Sequence, residues 1–231
     1  MKIDGKEITT LLIKIFSKKE YRDDFIKGNI FMNLSGYFNK IENNTYRGDK
    51  LDGKIICYNQ TVQINDFKFK TDYVQGFVGD DKVPIFCTTL LSDKILEKRN
   101  NKYYFKECVK NNLINFGDFA VIFLYKELED NLLEYAQSMN IPFASHLIRY
   151  TNLNNKNNAH FDLYRKKDPF TKFFIKDNFY KSQNEVRFLF PIIMAQEKPV
   201  VAKIRPLNFH KEFDTNELFN SSIELSICLK N

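Results

Sequence analysis

Between Tyr180 and Phe190 a polar Gln183-x-Glu185 runs directly into a segment in which side chains of opposite character alternate. Only an extended strand gives that alternation a use. Period-two geometry puts Gln183, Glu185 and Arg187 on one face and Val186, Phe188 and Phe190 on the other. The apolar face needs a core, so this chain must build a sheet with a layer packed on it. The polar face is left for solvent or for chemistry.

The rest of the sequence reads as short strands with helices between them. Leu11 to Phe16 is β-rich, and Ser17 and Glu20 have the capping-box spacing of a helix start. That helix is expected from Lys18 to about Lys27, with Gly28 as its left-handed cap and a strand resuming over Asn29 to Asn33. Tyr37, Phe38 and Ile41 have the spacing of one or two helical turns, and Tyr46 to Gly53 is rich in turn residues. Residues 54 to 90 predict a meander of short hairpins: Lys54 to Tyr58, Gln60 to Ile64, Phe67 to Lys70, Tyr73 to Val78 and Val83 to Thr89. Asn65-Asp66 and Gly79-Asp80-Asp81 mark breaks between them.

Downstream, a weakly amphipathic helix is expected over Tyr104 to Asn115, then a strand Phe119 to Leu124. A helix Lys126 to Met139 follows, carrying Leu128, Leu132, Leu133, Tyr135 and Ala136 on or near one face. Pro142 closes it. Phe143 to Tyr150 reads as a strand, and Thr151 to Asn158, with five Asn, as a loop. Asp168-Pro169 starts a helix running to about Lys176, with Pro at the favoured first position. Glu185 to Ile193, Lys198 to Arg205 and Ser222 to Leu229 are strand-like. No repeat or linker divides residues 1–231, so the expectation is one α+β domain with an antiparallel or mixed sheet and inserted helices.

Composition narrows the function classes. With 23 Phe, 12 Tyr and no Trp, the core is expected to be built of benzyl rings packed with Ile and Leu. The net charge of +6 is spread in short clusters of both signs, which suits a solvated exterior, with a mild bias toward anionic partners. Cys57, Cys87, Cys108 and Cys228 have no Cys-x-x-Cys spacing and read as reduced thiols. The polar, charged start and the lack of a long apolar run predict a cytoplasmic protein with no membrane partner. His146, His160 and His210 have no metal-ligand spacing, so no metal is expected. With eight glycines, none of the familiar phosphate-binding loops is present. Cys87 lies inside a strand pattern and reads as a buried small residue, not a nucleophile.

Two features could carry function. A carboxylate at Glu185 facing a cleft can hydrogen-bond a ribose hydroxyl and stabilise an oxocarbenium-like charge, with Gln183 orienting the nucleophile. Phe67-Lys-Phe-Lys70, Lys102 to Lys106 and Phe161 to Lys167 interleave aromatic and basic residues and could stack on bases. Alternating Phe and Lys is also how a half-buried strand looks, and that is the default expectation.

The chain resembles the ADP-ribosyltransferase superfamily in three places: Lys14 in the first strand, Thr88 and Thr89 at the end of a central strand, and Gln183-Asn-Glu185 entering a late strand. It is also similar to uncharacterised bacterial and phage families, some linked to abortive infection. The shared features there are Gly28 to Asn33, Tyr37-Phe38, Arg47-Gly-Asp49 and Tyr180 to Arg187. The resemblance implies a split sheet with NAD as substrate across it and Glu185 beside its N-glycosidic bond. It also implies cofactor contacts from Lys14, Thr88, Thr89, Tyr180 and Arg187. The superfamily expects Arg or His where Lys14 stands, and Lys lacks the bidentate fork of Arg. The implied activity is transfer of ADP-ribose by a toxin-type or phage-defence effector. Its acceptor would be a nucleic acid or a protein, and a neutralising partner protein could accompany it. The alternative is a non-catalytic nucleic-acid- or protein-binding module that uses the basic aromatic strands and the Arg47-Gly-Asp49 loop.

Overall fold

The computed structural model describes residues 2–3, 6–7, 10–40, 51, 53–75, 79–100, 102–153, 170–191 and 198–223. Its strands in chain order are β1 (Lys2–Ile3), β2 (Lys6–Glu7), β3 (Leu11–Phe16), β4 (Asn29–Leu34), β5 (Ile55–Ile64), β6 (Phe67–Gln75), β7 (Pro84–Leu90) and β8 (Leu96–Arg99). They continue with β9 (Lys102–Phe105), β10 (Phe119–Leu124), β11 (Ala144–Leu147), β12 (Arg149–Thr151), β13 (Ile175–Asp177), β14 (Glu185–Leu189), β15 (Val200–Lys203) and β16 (His210–Asp214). The helices are α1 (Lys19–Ile26), α2 (Ser35–Lys40), α3 (Glu107–Leu113), α4 (Tyr125–Ser138) and α5 (Thr215–Asn220).

The main sheet is antiparallel and runs β11-β14-β7-β3-β10-β16, with β4 and β15 as a branch. A parallel pair, β12 with β13, makes the fold mixed as a whole. The α+β class with a split sheet is therefore what the chain builds, and the split has a definite location. β7 pairs with β14 along Ile85 to Thr89. On its other edge it meets β4 only at Pro84 and Ile85, and β3 only at Thr89 and Leu90. Between those contacts, at Phe86 to Thr88, the sheet opens into a fork.

Both faces of the sheet are covered, as its strand patterns require. Leu12, Phe86, Val121, Phe123, Val186, Phe188 and Phe190 pack with Phe25 of α1 and with Leu128, Leu132 and Ala136 of α4. The rings make the expected benzyl core, with Phe25 5.5 Å from Phe86 and 5.0 Å from Phe123. On the other face Ile13, Ala120 and Ile122 pack with α3, α5 and the β8–β9 hairpin. Farther along the same face, Ile85 and Leu189 sit with Ile148, Phe173 and Phe174. Among the described residues no helix is long and apolar enough to cross a membrane.

Several local expectations change. α1 begins at Lys19 with Lys18 as N-cap and no side-chain cap bond, so Ser17 and Glu20 do not form a capping box. The four strands expected between Lys54 and Val78 merge, as far as Gln75, into one ribbon, β5 paired with β6, and residues 76–78 lie outside the described residues. A bulge at Tyr58 and Asn59 absorbs the break between the first two strands. Asn59, Asn65, Asn100, Asn140 and Asn184 are the described non-glycine residues with positive φ, each an Asn because its short polar side chain tolerates the left-handed region. The helix expected over 104 to 115 begins as strand β9 and becomes α3 only at Glu107. Leu133 is exposed, leaving α4 a narrower apolar stripe than expected. The helix expected to reach Lys176 is, where described, a single 3₁₀ turn, Thr171–Phe174, followed by β13. β16 and α5 were not expected; Asp214 caps α5 by accepting from the Asn216 and Glu217 amides. Arg47-Gly-Asp49, His160, Phe161 to Lys167, Asp168-Pro169, Cys228 and most of the expected strand Ser222 to Leu229 lie outside the described residues.

Candidate functional site

A cleft of about 60 Å³ lies in the fork, lined by Lys14, Cys87, Thr88, Thr89, Gln183 and Glu185 together with apolar residues of β3 and of the α3 region. Five residues singled out from the sequence, drawn from three distant segments, thus converge on one place. The fork explains why Lys14 is there. With β3 and β7 apart, the Cys87 carbonyl has no ladder partner, and Lys14 Nζ donates to it at 2.7 Å. The same ammonium lies 4.7 Å from the Phe86 ring centre. Lys14 therefore bridges the two arms of the sheet.

Glu185 enters β14 from a 3₁₀ segment, Asn178–Gln183, through Asn184, whose φ of 41° permits the change of direction. Asn184 also fixes that turn to the end of β7: its Nδ2 donates to the Leu90 carbonyl at 2.7 Å and to Ser92 Oγ at 3.0 Å. The Glu185 amide donates to the Tyr150 hydroxyl at 2.9 Å. Position and direction of the carboxylate are thus set from two sides.

The carboxylate is only 4% exposed, and both its oxygens are engaged. Arg187 Nε donates to Oε1 at 2.5 Å and Lys176 Nζ to Oε2 at 2.6 Å. Arg187, itself fully buried, also donates from a guanidinium nitrogen to the Phe173 carbonyl at 2.7 Å. Lys176 additionally donates to Gln183 Oε1 at 3.2 Å and lies 5.2 Å from the Tyr180 ring centre. Burial alone would raise the Glu185 pKa, but the charges of Arg187 and Lys176 outweigh it and hold the carboxyl well below the usual range. Burial, and next the Glu185 charge, push the Cys87 thiol up to about 12. The same two causes hold Tyr150 above the ordinary phenol range.

The expected roles now divide. Thr89 lies directly across from Glu185 in the ladder, whereas Thr88, paired with Val186, gives its hydroxyl to the Val186 carbonyl at 3.3 Å. Thr89 is therefore the hydroxyl residue beside the carboxylate. Arg187 shares the Glu185 face, is fully buried, and anchors the carboxylate while also holding the Phe173 carbonyl. Tyr180 is not among the residues that line the cleft; its ring lies beside Lys176, which holds Glu185. Because Glu185 is buried between two cations, its replacement acts on the stability of the fold as well as on the chemistry of the cleft. Lys176, Tyr150, Phe173 and Asn184 were not singled out from the sequence; only Asn184, an Asn where the chain changes direction, carried a local signal. Elsewhere, His146 packs edge-on against Phe174 at 5.2 Å, and His210 Nδ1 lies 2.8 Å from the Leu207 carbonyl.

Two cations, Lys176 and Arg187, contact the Glu185 carboxylate, and a third, Lys14, lines the same cleft. Such a site favours an anionic ligand. Comparison with protein-family models, curated proteins and solved structures gave no match.

Proposed function

We propose that the chain is an ADP-ribosyltransferase-like enzyme that uses NAD at the fork of its sheet. The observation that carries this reading is the convergence of Lys14, Thr89, Gln183 and Glu185 on one cationic cleft. In this reading Lys14 leaves the Cys87 carbonyl to meet the pyrophosphate as a point charge. Glu185, kept ionised by Arg187, accepts a hydrogen bond from the ribose 2'-hydroxyl and stabilises the positive charge that grows at C1' as the glycosidic bond lengthens. Nicotinamide departs with the bonding electron pair as a neutral ring, and an acceptor held by Gln183 attacks C1' and loses its proton.

The reaction requires Lys176 to yield Oε2 to the ribose, which its flexible stem permits, while Arg187 stays pinned to Phe173. It also requires Lys14 and Gln183 to move aside, because the cleft as it stands is far smaller than a dinucleotide. The biological setting in this reading is a cytoplasmic effector of the toxin or phage-defence kind, acting on a protein or nucleic-acid acceptor and restrained by a partner protein.

The engagement of both Glu185 oxygens favours a second reading, a non-catalytic relative in which the ion triad only holds the fork together. Incubation with millimolar NAD separates the two. The enzyme releases nicotinamide, detected by mass spectrometry, and NAD raises its melting temperature. Glu185→Asp keeps the charge but withdraws the carboxylate, and is expected to stop release while the protein still melts cooperatively. Neither release nor a melting shift leaves the second reading standing.

A further inference from the structure

The ribbon formed by β5 and β6 carries an aromatic motif that the cleft does not use. Its base is rooted: Ile56 and Tyr58 pack with Leu51, Leu153 and Ile175, and the Tyr58 hydroxyl donates to the Leu153 carbonyl. At the bulge, the Asn59 amide donates to the Asp72 carboxylate at 2.8 Å. From Asn59 to Lys70 the described side chains are exposed apart from the half-buried Val62. The register sets Val62 opposite Phe69 and Ile64 opposite Phe67, so these four share one face. Gln63 opposite Lys68 and Thr61 opposite Lys70 make the other. Phe67 is 77% exposed, Ile64 58% and Phe69 47%, so the rings do not point into a core as a half-buried strand would have them.

Three occupants could cover this face, and the residues favour one. The two rings and Ile64 offer on the order of 300 to 400 Å², well under the ~800 Å² that each partner of a stable dimer buries. The leading turn is Asn65-Asp66, whose amide and carboxylate side chains are both exposed, and burying them in a bilayer's apolar interior is costly. Single-stranded nucleic acid fits what remains. Phe67 and Phe69 are two residues apart, about 6.8 Å along a strand, twice the ~3.4 Å spacing of stacked nucleotides. A single strand that meets both rings must have its bases splayed, which leaves a face of each free to stack. Lys68 and Lys70 alternate with the rings, and their stems can reach around the β6 edge to the phosphates.

We propose that the outer half of this ribbon binds single-stranded nucleic acid, with bases stacked on Phe67 and Phe69 and phosphates neutralised by Lys68 and Lys70. This holds whether or not the cleft turns over NAD, because the two sites share no residue. The test is fluorescence anisotropy of the intact chain with a short labelled oligouridylate and its deoxy counterpart at low salt. Phe67→Ala and Phe69→Ala are each expected to weaken binding about tenfold. Lys68→Gln and Lys70→Gln should each flatten the slope of log affinity against log salt by about 0.7. Melting temperatures matching the parent show that the variants fold. Absence of binding at low salt, or affinity unchanged in the double Phe variant, overturns the proposal. So does a dimer seen by sedimentation that Phe67→Ala dissolves, or flotation with phosphatidylserine vesicles that the same change abolishes.

Discussion

The fork and the ribbon invert each other. At the fork, Lys176, Glu185 and Arg187 are removed from water in a place that would ordinarily be apolar. On the ribbon, Phe67 and Phe69 stand in water where rings would ordinarily be covered. Burial of a charge costs several kcal/mol unless partners compensate, so the fork is held by mutual satisfaction, and Glu185 is the member both cations depend on. The ribbon stakes little on Phe67, which at 77% exposure buries little on folding. Residues equally conspicuous in the sequence should therefore differ greatly in what their loss does to stability.

The largest expected effect comes from breaking the triad. Glu185→Gln takes away the carboxylate that buried Lys176 and Arg187 share and should destabilise the fold by about 3–5 kcal/mol, whereas Phe67→Ala should stay within about 0.5 kcal/mol of the parent; chemical denaturation measures both. Equal losses in the two variants would erase the contrast. Replacing all three charges together, as Lys176→Met, Glu185→Leu and Arg187→Met, should cost less than Glu185→Gln alone, because no orphan charge remains.

Acid sharpens the comparison next. The folded-state pKa of Glu185 is depressed: burial raises it, but Arg187 and Lys176 more than reverse this. Its contribution is therefore complete above the unfolded value near 4.5 and declines as pH falls below that. The stability gap between the parent and Glu185→Gln should narrow on acidification below about pH 4.5. A gap constant down to pH 3, about 1.5 units below the unfolded value, would show that the triad does not act through the ionised carboxylate.

A smaller effect is expected at the fork's other bridge. Lys14→Met removes the donor to the Cys87 carbonyl and should cost about 1 kcal/mol, since the opened cleft lets water take the donor's place. The smallest effect is one of reactivity. Cys87, pushed up to about 12, should resist alkylation in the native protein, while the exposed Cys108 reacts; mass mapping after brief iodoacetamide treatment reads this directly.

The legible parts of this molecule were those whose signal is local. Alternation placed Val186, Phe188 and Phe190 in one core layer, and 3.6-residue spacing placed Leu128, Leu132 and Ala136 on the face of α4 that covers it. Signals that depended on a neighbour misled. Ser17 and Glu20 have capping-box spacing, but α1 starts one residue later than that box needs. Phe67 to Lys70 has the pattern of a half-buried strand, but no described layer lies over it. Arg187 follows Glu185 with the right period to share a face, and nothing in the period says that this face is sealed.

What the chain determines by itself is therefore the character of each element: strands with one ring-rich face, a helix with an apolar stripe, an amide and a carboxylate two residues apart on the same side. Tertiary structure alone decides that β7 passes from β4 to β3 and opens the fork, that β13 returns to bring Lys176 against Glu185, and that the ribbon's rings stay in water. The reason is physical. Side-chain periodicity is written by backbone geometry over a few residues, whereas the pairing of buried charges and the covering of a face depend on where segments far apart in sequence come to lie.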